Sequence, residues 1–166
     1  MTIPTFQVAS HDLAHERRHS WREGSRGIVL KDNRMALIHY KTYNHYVLPG
    51  GGIEINETPE AAFKREVLEE IGYTVEAVKP VCIVEECFED SAWRHHFFIA
   101  QVSDGPFECH LTPEEITLQP SLLWLTTEEA LTLLSEHEGD HPYSATIMQR
   151  EFLGLMQALS THCQTP

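Results

Sequence analysis

The order of elements in this chain predicts an α/β/α sandwich around a mixed sheet. Extended segments precede a capped helix, more extended segments follow it, and two further helices come last. The helices carry apolar residues on one side only, as surface layers over a sheet do. Hydrophobic residues make up 42% of the 166 residues, enough for a sizeable core. The length suits a single domain over 1–166, near the common size of about 100–150 residues.

Residues 1–20 read as a polar N-terminal segment whose structure the sequence leaves open. Arg26 to Leu30 and Met35 to Tyr40 read as a hairpin turning at Asp32-Asn33. Tyr46-Val47-Leu48 is a short strand, ended by Pro49 and a Gly50-Gly51-Gly52 turn. Thr58 is a good N-cap. Pro59 suits the first helical position because its missing N–H needs no partner there, and Gly72 suits the left-handed residue that closes a helix. A helix over Pro59 to Ile71 follows. Thr74 to Val78 and Val81 to Phe88 are extended, and Phe97 to Val102 and Ser121 to Leu125 are strands. Thr126 to Glu129 form a capping box that opens a helix to about Ser135. Glu136 to Tyr143 form a polar loop. Ser144 begins a last helix with Ile147, Met148, Phe152, Leu155, Met156 and Leu159 as apolar positions.

At about 100° per residue, the Pro59–Ile71 helix turns Phe63, Val67 and Ile71 to one side. Glu66, Glu69 and Glu70 turn to the other, with Ala62 among them. Lys64 interrupts the apolar arc, so its head is expected to snorkel to water. Carboxylates at i, i+3 and i+4 repel one another. A charge run of this kind, taken alone, usually just faces water. The other reading is a hard-cation site, since oxygen ligands suit Mg²⁺ or Mn²⁺, which also bind substrate phosphates. The glycines before the helix and Arg65 within it favour that second reading.

The segment from Gly51 to Tyr73 resembles the Nudix box, the signature of the Nudix (MutT-like) hydrolases. The pattern maps onto Gly51, Glu57, Arg65, Glu66, Val67, Glu69, Glu70, Gly72 and Tyr73. Seven of these positions demand one residue type, and all seven match. At roughly 7% usage for each type, chance agreement is on the order of one in 10⁸. Two departures are mild. Tyr73 replaces the usual aliphatic, and Asn56 stands where many members have Gly, although Asn tolerates positive φ.

The resemblance implies the α/β/α fold and a reaction: hydrolysis of a nucleoside diphosphate linked to another group, with Mg²⁺ or Mn²⁺. It implies Glu66, Glu69 and Glu70 as metal ligands, with the Gly51 carbonyl a further one, and Glu57 and Arg65 as supports that orient the helix. Glu54 in the same loop is a weaker candidate. Glu115, beside Glu114 before the last strand, is another, because several family members use a glutamate there. Glu85, Glu86 and Glu89 are alternatives to it. Tyr43, His45 and Tyr46 flank the entry to the box and suit stacking on a base, with core packing as the plainer reading. His95 and His96 point to opposite faces of a strand.

Formal net charge is −13, and no basic run is present, which argues against a nucleic-acid binder. An acidic protein with an anionic substrate needs a cation between them. Cys82, Cys87, Cys109 and Cys163 form no Cys-x-x-Cys pair and suit thiols of a reduced compartment. No apolar signal sequence and no run approaching the ~18 residues of a membrane span is present, so the expected place is the cytoplasm. The expected partner is a small nucleotide-type substrate. Nucleoside triphosphates, ADP-ribose, nucleotide sugars and dinucleoside polyphosphates all fit, and a homodimer stays open. A non-catalytic module that senses a nucleotide or holds a partner is the alternative. Such a module is expected to lose box carboxylates, and none is lost here.

Overall fold

The computed structural model of the protein describes residues 3–9, 20–88 and 91–162. Glu89 and Cys163 lie outside them. In chain order the first half holds β1 (Thr5–Ala9), β2 (Trp21–Lys31), β3 (Arg34–Tyr40), β4 (His45–Val47), β5 (Gly50–Gly52) and α1 (Pro59–Ile71). The second half holds β6 (Thr74–Cys87), β7 (Ala92–Asp104), α2 (Pro113–Thr117), β8 (Pro120–Leu125), α3 (Thr127–Glu136) and α4 (Ser144–His162). The strands form one mixed sheet in the order β1-β6-β7-β2-β3-β4, with β5 added to β2 and β8 to β3. The β1–β6 and β2–β7 pairs are parallel and the others antiparallel.

Strand parity divides the core in two, because successive side chains point to opposite faces. Val29, Ala36, Ile38, Phe98 and Ala100 pack with Phe63, Val67 and Ile71 of α1. Their neighbours Ile28, Leu37, Phe97 and Ile99 pack with Ala130 and Leu134 of α3 and Met148, Leu155 and Ala158 of α4. Helices therefore cover both faces, which is the expected sandwich.

α1 begins and ends where its caps dictate. Thr58 accepts the Ala61 N–H, Pro59 opens the helix, and Gly72 closes it at φ 74°. Lys64 is exposed and paired with Glu60 at 2.6 Å. Asp32 and Asn33 both take positive φ, which gives the β2–β3 turn the twist its strands require.

Several elements differ from the sequence reading. Thr5–Ala9 is a strand, parallel to β6, with Val8 buried and Phe6 packed on the core. Its alternation is too short to stand out from the polar residues around it. Thr74 to Cys87 is one strand, not two, because bulges near Ala77 (φ 51°) and Pro80 carry the pairing past the proline. The glycine triplet is a paired strand rather than a turn. Met156 is exposed, and Ala158 takes a buried place on α4 instead. Among the described residues, no helix is long and apolar enough to cross a membrane.

Candidate active site

β5 and α1 build the site together. Gly51 faces Ser25 and Gly50 faces Arg26 across the β2–β5 ladder. A Cβ on Gly51 would lie 2.6 Å from the carboxyl carbon of Glu66, so only a glycine backbone fits above that group. The acidic side of α1 is therefore roofed rather than open. Ala62 is fully buried and Glu66 is 7% exposed, although the helical wheel put both on a polar arc. Asn56 takes φ 67° in the loop between strand and helix.

Glu70 sits under the same strand. Its Oε2 accepts the Gly50 N–H at 2.7 Å and its Oε1 accepts the Tyr40 hydroxyl at 3.1 Å. The third carboxylate comes from α2, a single helical turn where the sequence suggested a loop. Thr112 and Glu115 form its capping box, and the Thr112 N–H donates to Glu115 Oε2 at 2.7 Å. The segment before α2 is tied to the end of α1: Phe107 N–H donates to the Gly72 carbonyl and His110 N–H to the Glu69 carbonyl. Glu66, Glu70 and Glu115 each offer an oxygen within 4.8 Å of the others.

Crowding shows in the acidities. Burial, opposed by the Gly50 N–H and reinforced by the Glu66 charge, pushes Glu70 up to about 8 from 4.5. Burial also raises Glu66, against the pull of Arg65. Tyr40 is raised by burial and by the Glu70 charge. Anions held this closely lower their energy by taking up protons or a cation. Hard oxygen donors from two helices, partly sheltered, fit Mg²⁺ or Mn²⁺.

Arg65 locks the loop to the helix. Its Nε and Nη2 donate to the two oxygens of Glu57 at 3.0 and 2.9 Å. Nη2 also reaches the Gly52 carbonyl at 2.9 Å, and Nη1 reaches Glu66 at 2.8 Å and Glu69 at 2.9 Å. This fork holds Glu57 below the usual carboxylate range. Glu69 therefore faces Arg65, not the three-carboxylate group, because the guanidinium four residues earlier captures it. Glu54 is exposed and acts through its backbone, whose N–H donates to Glu57 Oε2 at 3.0 Å.

Of the aromatic candidates, Tyr43 and His45 line a cavity beside Gly50, together with Tyr40 and His141. Tyr46 does not. It stacks on His39 at 4.5 Å and meets His137 edge-on, packed against the core. Glu85 pairs with Arg94 at 2.9 Å and Gln7 at 2.8 Å, and Glu114 is exposed.

Sequence reading missed a buried charged group on the other side of the glycine strand. Arg26 donates to Glu151 at 2.9 Å, Arg150 donates to Glu86 at 2.6 Å, and Arg150 also pairs with Glu151. His95 completes it. Burial and the two arginines keep His95 neutral, so its Nδ1 accepts from Arg26 and its Nε2–H donates to Glu86. The available signal was Glu151, which falls on the apolar stripe of α4 between Met148 and Leu155, where a solvated glutamate has no place.

His45 is neutral for the same reason. Burial first, then Arg150, brings it down to about 4 from 6.5, and its Nδ1 lies 3.0 Å from Ser144 Oγ. A depressed histidine stabilises the fold fully above pH 6.5, and that contribution is lost as pH falls through 4. For His45 the loss is at most about 3 kcal/mol by pH 4. His45→Phe should melt lower than wild type at pH 7, lacking the Ser144 bond, yet lose less between pH 7 and 4.5. Thermal melts at both pH values check this, and equal losses would contradict it.

A glycine strand over an acidic helix, clamped by one arginine, defines a class of enzymes. The NUDIX domain signature matches residues 21–147, and the chain belongs to the NUDIX family of hydrolases. A MutT-like protein from Streptomyces ambofaciens is 43% identical over 49 residues, 30% of this chain and about a third (32%) of that relative's length. A MutT NUDIX hydrolase from Burkholderia pseudomallei superimposes with a TM-score of 0.60 at 20% identity, covering 84% of this chain and 98% of that one. An ADP-ribose pyrophosphatase from Streptococcus suis gives 0.55 at 15% identity, over 83% and 91% of the two chains. Family and fold are those expected from residues 51–73.

Proposed function

We propose that the protein hydrolyses the pyrophosphate linkage of a nucleoside diphosphate derivative, with Mg²⁺ or Mn²⁺ held by Glu66, Glu70 and Glu115. The observation that carries this reading is the approach of those three carboxylates to within 4.8 Å under a strand without side chains. The Gly51 carbonyl is a further oxygen for the metal. A bound divalent ion would neutralise phosphate oxygens and lower the pKa of a coordinated water.

The protein's own groups set the geometry. Tyr40 and the Gly50 N–H orient Glu70, while the Thr112 N–H orients Glu115. Arg65 fixes Glu66 and Glu69 relative to Glu57 and β5. Glu69, at 38% side-chain exposure against 9% for Glu66, is our candidate to take the proton of the attacking water. The whole chain acts as one domain, in the cytoplasm, where Cys82 and Cys109 stay thiols. Nucleic acid is not its partner, since a formal charge of −13 repels phosphate backbones.

Activity should vanish in EDTA and return on adding Mg²⁺ or Mn²⁺ in excess. Full turnover in chelator would remove the metal from this reading.

A further inference from the structure

Two cavities meet at the site, and both border Arg26, Ile147 and Arg150. The first, about 240 Å³, extends past Gly51 and Gly52 to Glu86, Phe88 and Trp93. The second, about 250 Å³, extends past Gly50 to Tyr40, Tyr43, His45 and His141. Each abuts the acidic group through the glycine strand. Gly51, in the first, lies against the Glu66 carboxyl, and Gly50 and Tyr40, in the second, both donate to Glu70. A diphosphate lying along β5 would thus send one end into each cavity. Sites for whole drug-sized ligands run to about 300–1,000 Å³, so each cavity suits one ring.

The two cavities differ in chemistry. The second is walled by rings, with Tyr43 and His141 at 4.6 Å, which suits the flat π-face of a base. The first sets Trp93 and Phe88 beside Glu86. Glu86 is 1% exposed, its Oε2 is held by Arg150 and His95, and its Oε1 has no donor within the described residues. A carboxylate only accepts hydrogen bonds. The complementary group has apolar C–H faces and hydroxyl donors, which describes a sugar. A terminal phosphate would meet a carboxylate instead, and the nearby arginines are already paired with Glu86 and Glu151.

We propose that the substrate is a nucleoside diphosphate joined to a sugar, with the base against the rings of Tyr43 and His141 and the sugar against Trp93, Phe88 and Glu86. This deepens the pyrophosphate reading above and rests on it for the placement of the diphosphate.

Titration calorimetry with hydrolysis-resistant α,β-methylene analogues tests it without turnover. ADP is compared with ADP-ribose, and UDP with UDP-glucose, each with Mg²⁺ present. In at least one base series the sugar-bearing ligand should bind wild type about tenfold more tightly, a difference of about 1.4 kcal/mol. Trp93→Ala should reduce that ratio to about twofold or less while leaving the plain diphosphate unchanged. Equal affinities within both wild-type pairs would overturn the proposal, even if the variant fails to fold. So would absence of binding, or a variant that weakens both ligands alike. A sugar preference without hydrolysis of the natural compounds would reject the hydrolase reading and leave this one standing.

Discussion

Replacing Glu70 with Gln is expected to lower kcat by at least ~10²-fold and to leave the metal-free protein intact. Gln can keep both neighbours: its oxygen accepts the Gly50 N–H, and its amide donates to the Tyr40 hydroxyl. The charge is what differs. The folded state holds Glu70 up to about 8 against an ordinary 4.5. Its contribution to stability is thus fully present below pH 4.5 and is lost as pH rises through 8. In EDTA the variant should melt with wild type near pH 4 and above it by a few degrees at pH 9. Steady-state kinetics on the best substrate and melts at the two pH values check both halves. Near-wild-type turnover would refute the role given to this carboxylate.

Arg65→Lys should damage activity and stability together. Lys keeps the charge but cannot serve both oxygens of Glu57, the Gly52 carbonyl, Glu66 and Glu69 at once. Losing such charge-assisted bonds costs roughly 1–3 kcal/mol at a partly buried site. In a chain of this length that lowers Tm by roughly 2–4 °C per kcal/mol. Glu66 and Glu69 would drift relative to β5, and a shift of about 1 Å can cost ~10²-fold in rate. Lost activity at unchanged Tm would instead place Arg65 against the substrate.

What the sequence revealed depended on how local the signal was. α1 is legible to the residue because Thr58, Pro59 and Gly72 are local devices, and each acts in the structure as its type requires. The box fixes its own clamp for the same reason, since Glu57, Arg65 and Glu69 are within a few turns of one another. Glu115 shows the opposite case. Thr112-Pro113-Glu114-Glu115 carries a Thr-x-x-Glu capping signature that sets Glu115 apart from Glu114, but that signature says nothing of the other carboxylates. Only the ties of residues 107 and 110 to the end of α1 bring α2 to the other carboxylates. The helical wheel misjudged Glu66 and Ala62 because a wheel carries no knowledge of what covers each face, and β5 covers the acidic one. The Arg26–Glu86–His95–Arg150–Glu151 group is invisible locally, since it draws on four elements distant in sequence.

Incubation with nucleoside diphosphate derivatives in H₂¹⁸O, with Mg²⁺ or Mn²⁺, followed by mass spectrometry of the products, tests the hydrolase most directly. The expected result is cleavage of the pyrophosphate link, with one ¹⁸O in one of the two phosphate products, and loss of that cleavage in Glu66→Gln and Glu70→Gln. No cleavage of any compound with either metal, or equal cleavage by both variants, would contradict it.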